Sequence, residues 1–146
     1  MESGHIKRVS SENLNIWANL CNEFWPHHTV EEIISAHNDG GFPHEFLYEI
    51  NNEYVAFMSL SIRSDYVEGK KGREPVGYLE AIYVRTNFQR KGIGRELVDF
   101  AKDWSLKEGC SMLASDCQLE NSASRAFHNS MGFEEVSVNV HFAMEL

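Results

Sequence analysis

The chain holds only three cysteines, Cys21, Cys110 and Cys117, and no CxxC pair. That number and spacing exclude a disulfide framework or a zinc ribbon, and predict reduced thiols in a cytoplasmic protein. Seven histidines occur without an HxxxH or HExxH spacing, so no metal is expected. There are three prolines, and no low-complexity tract or repeat divides the 146 residues, so one domain spanning 1–146 is predicted. No apolar run approaches the roughly 20 residues of a membrane span, and no basic-then-apolar leader opens the chain, which predicts no membrane partner. Cations are also scarce: 13 Lys and Arg against 22 Asp and Glu leave a net charge of −9. A nucleic-acid binder, whose affinity rests on surplus cations, is thereby disfavoured, and a cationic partner fits better.

The charge that is present is segregated. From Val9 through Ile62 there is no Lys or Arg, while Glu12, Glu23, Glu31, Glu32, Asp39, Glu45, Glu49 and Glu53 fall there. Between Arg85 and Arg95 the bias reverses, with Arg85, Arg90, Lys91 and Arg95 around two glycines and no acid among them. Scattered solubility charge is one reading of this pattern. The other is two ligands of opposite sign, an anion held centrally and a polycation held by acidic flanks.

Periodicity supplies the elements. His5 to Val9 reads as a strand, and Leu14, Trp17, Leu20, Cys21 and Phe24 recur at helical spacing. Thr29 followed by Glu32 is a capping box that opens a second helix ending at Gly40-Gly41. Two apolar strands, 46–50 and 54–62, flank Asn51-Asn52, a pair that tolerates positive φ, and so predict a hairpin. Residues 64–74 read as a polar loop. Val76 to Val84 is a strand, Ile93 to Lys107 a helix, and Met112 to Ser115 a second strand, which together make a βαβ unit with parallel strands. A short helix ending at Gly132 and a final alternating strand, Val136 to Met144, complete the reading.

Gln89-Arg90-Lys91-Gly92-Ile93-Gly94 sits between a strand and the first turn of an amphipathic helix. Unpaired N–H groups and the positive end of the dipole favour an anion there, and glycines let the backbone approach phosphate oxygens. A Walker A loop is excluded because no GK[ST] follows, and a Rossmann turn because its third glycine is replaced by Leu97.

The remaining pattern, Q-x-x-G-x-G in this context, resembles the pyrophosphate signature of the GCN5-related N-acetyltransferases (GNAT) over residues 76–133. The runs SIRSDYVEG (61–69), VGYLEAIYV (76–84) and ASDCQLEN (114–121), with the spacing of Ser124, His128, Gly132 and Phe133, are similar to a narrower group, the aminoglycoside 6'-N-acetyltransferases. The resemblance implies an α/β fold whose mixed, mostly antiparallel sheet has a central, splayed parallel strand pair flanked by helices. It implies acetyl-CoA as cosubstrate, with Ile82, Tyr83 and Val84 along its pantetheine arm. Gln89, Arg90, Lys91, Gly92, Ile93, Gly94 and Arg95 would hold its phosphates, and Asn121 the far pantetheine amide. It implies direct acetyl transfer to the 6'-amine of an aminoglycoside, hence antibiotic resistance, and by analogy a homodimer. A polyamine or peptide-amine acetyltransferase of the same fold, or a non-catalytic acyl-CoA-binding regulator, is the alternative.

An amine must lose a proton before it attacks a thioester. Asp116, directly after the second parallel strand, is the first candidate to accept it. Glu80, read as a buried strand acid, is the second and the better fit to substrate binding; a plain helix cap is the rival role for Asp116. Trp25 and Tyr66 offer aromatic faces to a sugar scaffold, although either could serve the core, and Glu135 is a candidate contact to the drug, within the chain or across a dimer. Many relatives carry a Tyr where His128 stands, so the residue that protonates the leaving thiolate is open. Cys117 invites a covalent route, but no neighbouring histidine activates it.

Overall fold

The computed structural model describes residues 4–146. Strand β1 (His5–Arg8) is followed by helices α1 (Leu14–Phe24) and α2 (Val30–Asn38), then β2 (His44–Ile50), β3 (Glu53–Arg63) and β4 (Val76–Val84). A 3₁₀ turn at Thr86–Phe88 leads into α3 (Ile93–Lys107), and β5 (Leu113–Ser115) and α4 (Ser122–Ser130) complete the elements.

Local chemistry accounts for most boundaries. Thr29 and Glu32 exchange both capping-box hydrogen bonds, which satisfies two donors at the start of α2. Asn51 and Asn52 adopt φ of 52° and 62°, the left-handed pair whose twist suits a two-residue hairpin between β2 and β3.

The five strands lie in the order β1-β2-β3-β4-β5, antiparallel except for the parallel β4–β5 pair. Alternation along the strands divides the core into two layers. Phe46, Tyr48, Met58, Leu60 and Leu79 face α3, where Ile93, Leu97, Val98 and Ala101 are buried. Leu47 and Phe57 face the opposite way, onto Trp17, Ala18, Leu20 and Cys21 of α1 and Ile33 of α2.

Two irregularities shape the site. In the β3–β4 ladder Ser59 pairs with Ala81 and Leu60 with Leu79, which leaves Glu80 as the extra residue of a β-bulge. The bulge advances the alternation by one residue, so Ala81 joins the α1 layer although Leu79 lies in the α3 layer. The β4–β5 ladder holds only at Gly77–Leu113, Tyr78–Ala114 and Leu79–Ser115, whereas β4 runs on to Val84.

The predicted strand from Val136 to Met144 does not form within the chain: residues 133–146 carry neither helix nor strand. A strand exists only by pairing, and among the described residues no strand pairs with this segment.

Candidate active site

The opening between β4 and β5 begins past Leu79 and Ser115. Ile82 and Val84 pack partly on the α3 layer. The Tyr83 ring turns to α1, and its hydroxyl donates to Glu23 at 2.9 Å. Glu23 also holds Arg85 at 2.7 Å, and the guanidinium keeps the Glu23 carboxyl below its ordinary range. Arg85 also lies 3.5 Å from Glu53 and is thus held between α1 and β3.

Beyond β4, the Gln89 side chain donates to the Val84 carbonyl at 2.9 Å and tethers the turn to the strand. Arg90 (φ 62°) and Gly92 (φ 85°) both lie in the left-handed region, and a Cβ on Gly92 would meet nothing within 4 Å, so the turn faces open space there. A Cβ on Gly94 would stand 2.8 Å from the Phe127 ring, so this glycine serves the packing of α3 on α4. Gly92 caps α3 without a side-chain acceptor, and the first bond back to it is from Glu96 N–H. The N–H groups of the first turn therefore point out of an exposed surface that also carries Arg90, Lys91 and Arg95. This geometry and donor set suit a diphosphate.

The acids gather on the α1 side of the sheet. Glu80 is partly exposed rather than buried, which corrects the reading from sequence: its side chain sits against Ser61 and Arg63, polar groups that leave it open to solvent. It accepts from Ser61 and from Arg63, whose Nη2 lies 2.9 Å from both carboxylate oxygens. The Arg63 guanidinium stacks 3.5 Å above the Tyr78 ring, and the Tyr78 hydroxyl donates to Asp116 Oδ2. Burial, followed by this bond to Asp116, pushes the Tyr78 hydroxyl well above its ordinary pKa, so it remains a donor. Arg63 and Tyr78 thereby link Glu80 to Asp116. Both were missed in the sequence, although Arg63 is the cation that ends the long acid-only stretch.

Asp116 is exposed and does not cap α4; that role belongs to Asn121, whose Oδ1 accepts from Ser124 N–H at 3.1 Å. Among the described residues the amide nitrogen of Asn121 meets no acceptor. Trp25 is half-buried, packing on Phe57 at 5.7 Å and Phe42 at 6.1 Å between ring centroids, so at least one of its faces belongs to the core. Tyr66 is 73% exposed in the 64–75 loop, with its hydroxyl on Glu68. Glu135 is held by Arg125 at 2.9 Å and by Asn129, and the guanidinium lowers its pKa.

The buried strand acid is Glu45 on β2, 2% exposed, which accepts from Trp17 Nε1 at 3.1 Å and is bonded to Ser59. Burial raises its pKa to about 8. His128 has both ring nitrogens engaged, with Ser115 Oγ at 2.8 Å and the Ser124 carbonyl at 2.7 Å. Cys117 is exposed and its thiol is free. Among the described residues no group of three or more His, Cys, Asp or Glu is arranged to hold a metal ion, and no helix is long and apolar enough to cross a membrane.

The chain matches the model of the "Acetyltransferase (GNAT) family" over residues 11–133. It is 31% identical to an aminoglycoside N(6')-acetyltransferase type 1 of Acinetobacter haemolyticus, over 97% of this chain and 99% of that one. It is 33% identical to a protein of the same name from Stenotrophomonas maltophilia, over 97% and 93%. Among solved structures, AAC(6')-Iy in complex with the bisubstrate analog CoA-S-monomethyl-acetylneamine superposes with a TM-score of 0.90 at 27% identity, over 99% of this chain and 100% of that one. With the family model spanning most of its length and close relatives matching nearly end to end, this chain belongs to the GNAT family of acetyltransferases.

Proposed function

We propose that this protein transfers the acetyl group of acetyl-CoA directly to the 6'-amino group of aminoglycosides. The observation that carries the reading is the parting of β4 from β5 at Leu79 and Ser115. An uncapped, glycine-opened helix start lies on one side of that opening, and the Glu80–Arg63–Tyr78–Asp116 cluster lies beside it. The names of the relatives support aminoglycosides over a polyamine or a peptide amine, and over a regulator that only binds the acyl-CoA.

In this reading the amides at 92–95, with Arg90, Lys91 and Arg95, hold the diphosphate. The main chain of Ile82–Val84 and the Asn121 amide hold the pantetheine arm. A β4 N–H near Tyr83 faces the charge that develops on the thioester oxygen. Asp116, steadied through one oxygen by Tyr78, takes the amine proton with the other. Glu80 carries substrate-side charge together with Arg63, and Tyr66, Trp25 and Glu135 line the acceptor's approach. Thiol release from acetyl-CoA, measured across aminoglycosides with and without a 6'-amino group, tests the assignment. Turnover confined to those that have the amine supports it, and turnover indifferent to that group refutes it.

The same proposal includes a single acetyltransferase domain over the whole chain, a cytoplasmic location consistent with three free thiols, and an isologous homodimer. The dimer rests on the C-terminal segment. Val136, Val138, Val140, Phe142, Met144 and Leu146 recur at every second position, and each is exposed, Phe142 to 93%. That is the pattern of a half-covered strand with nothing covering it. The end strand β5 has only half-buried residues, and α4 buries none although Phe127 and Met131 lean on the core. A second copy that lays its tail across β5 and α4 supplies both missing partners. Sedimentation of the full chain and of one cut after Glu135 tests this. Dimer and monomer respectively are expected, and a monomeric full chain refutes it.

A further inference from the structure

Ser115 is the last residue of β5 and the partner of Leu79 at the point where the strands part. Its Oγ lies 3.0 Å from the Leu79 carbonyl oxygen and 2.8 Å from Nε2 of His128. Nδ1 of the same ring lies 2.7 Å from the Ser124 carbonyl, one helical turn back on α4, and 3.3 Å from Ser124 Oγ. The Asn121 cap fixes that turn, and the Phe133 ring stands edge-on to the imidazole at 5.1 Å. A hydroxyl at the apex of the opening, a ring that reaches it, and a carbonyl that orients the ring form a chain of three parts.

Counting protons shows what the chain can do. A carbonyl oxygen only accepts, so Nδ1 donates to Ser124. Ser115 has one proton and two neighbours, Nε2 and the Leu79 carbonyl. When Nε2 also carries a proton, it donates to Ser115 Oγ, and Ser115 donates to Leu79, so all three contacts are hydrogen bonds. With one proton fewer, Ser115 turns to Nε2 and leaves Leu79. The two states differ by one proton and by the rotation of a single hydroxyl.

We propose that Ser115 and His128 deliver the proton taken up by the departing CoA sulfur. This rests on the acetyl-transfer reading above. The acceptor nitrogen uses its lone pair to bond the acetyl carbon, and the C–S bond breaks with its pair left on sulfur. Ser115 gives its hydroxyl proton to the sulfur and takes one from Nε2 of His128, which is refilled from water. The surplus proton on the nitrogen goes to Asp116 and on to water, so atoms and charge balance without another reactant. Ser115 is then a catalytic residue, and His128 a positioning residue that acts through it.

The test is steady-state kinetics with 6'-amino aminoglycosides for Ser115→Ala, Ser115→Thr, His128→Gln and His128→Tyr. It is read with acetyl-CoA titration and thermal melting of each variant. Ser115→Ala and His128→Gln are expected to lose about 100-fold in kcat, the usual scale of a general acid, with acetyl-CoA affinity changed by less than about threefold. Ser115→Thr keeps the hydroxyl, and His128→Tyr supplies one of its own, so both recover most of the rate. Unchanged kcat in Ser115→Ala, or acetyl-CoA affinity lost in step with rate, overturns the relay and makes the cluster a clamp. Should His128→Gln not fold, Ser115→Ala against Ser115→Thr decides. If the wild type acetylates no aminoglycoside, the substrate reading fails instead, and the same variants are compared with hydroxylamine as acceptor.

Discussion

Replacing Glu45 by Gln changes one proton in the core and little else. The carboxyl is sealed beneath α1, and burial lifts its pKa from an ordinary 4.5 to about 8. Its hydrogen bonds to Trp17 and Ser59 oppose that shift without cancelling it. In the unfolded chain the acid loses its proton near 4.5, whereas the folded chain keeps it until about pH 8. Between those limits the native state binds more protons, so stability is complete below 4.5 and falls as pH rises, by about 1.4 kcal/mol per unit. At pH 7 the accumulated cost is about 3 kcal/mol, a large share of the 5–15 kcal/mol typical of a folded domain. Glutamine has the same shape, its carbonyl can accept from Trp17, its amide can donate to Ser59, and it does not titrate. Urea unfolding from pH 5 to pH 8 should show Glu45→Gln gaining on the wild type steadily, from about 1 kcal/mol at pH 5 to about 3 kcal/mol at pH 7. A constant difference across that range would refute the burial argument.

Gly92→Val places a β-branched residue at φ 85° on the open face of the turn, and calorimetric titration should show acetyl-CoA affinity falling at least tenfold, against a strain of about 1–2 kcal/mol. Asp116→Ala removes the proposed proton acceptor, and kcat should drop by about 10²–10³ while acetyl-CoA affinity holds; a rise in acceptor KM alone would make Asp116 a binding carboxylate. Arg63→Lys exchanges a planar fork stacked on Tyr78 for a point charge, and because the pair is partly exposed it should cost no more than about 1 kcal/mol of stability. Its larger effect should be on kcat/KM for the acceptor, through loosening of both Glu80 and Asp116, and an unaltered kcat/KM would separate Arg63 from the site.

The parts of this molecule that could be read from sequence are those whose causes are local. A capping box, an Asn-Asn turn, a glycine that needs positive φ and an apolar stripe every 3.6 residues act within a few positions, and each stands where its residues predicted. The same holds for the βαβ order and for the glycine turn that opens α3. What the fold alone decided depends on residues far apart in the chain. Arg63 reaches Glu80 across a ladder, Tyr78 reaches Asp116 over 38 positions, and Ser59 closes on Glu45 over 14. Glu80, expected inside from its place in mid-strand, instead sits against Ser61 and Arg63 and stays partly exposed, and Glu45 holds the interior place. The tail from Val136 shows the same division: its two-residue rhythm is written in the sequence, but a ladder needs a second strand, and the described residues of its own chain provide none.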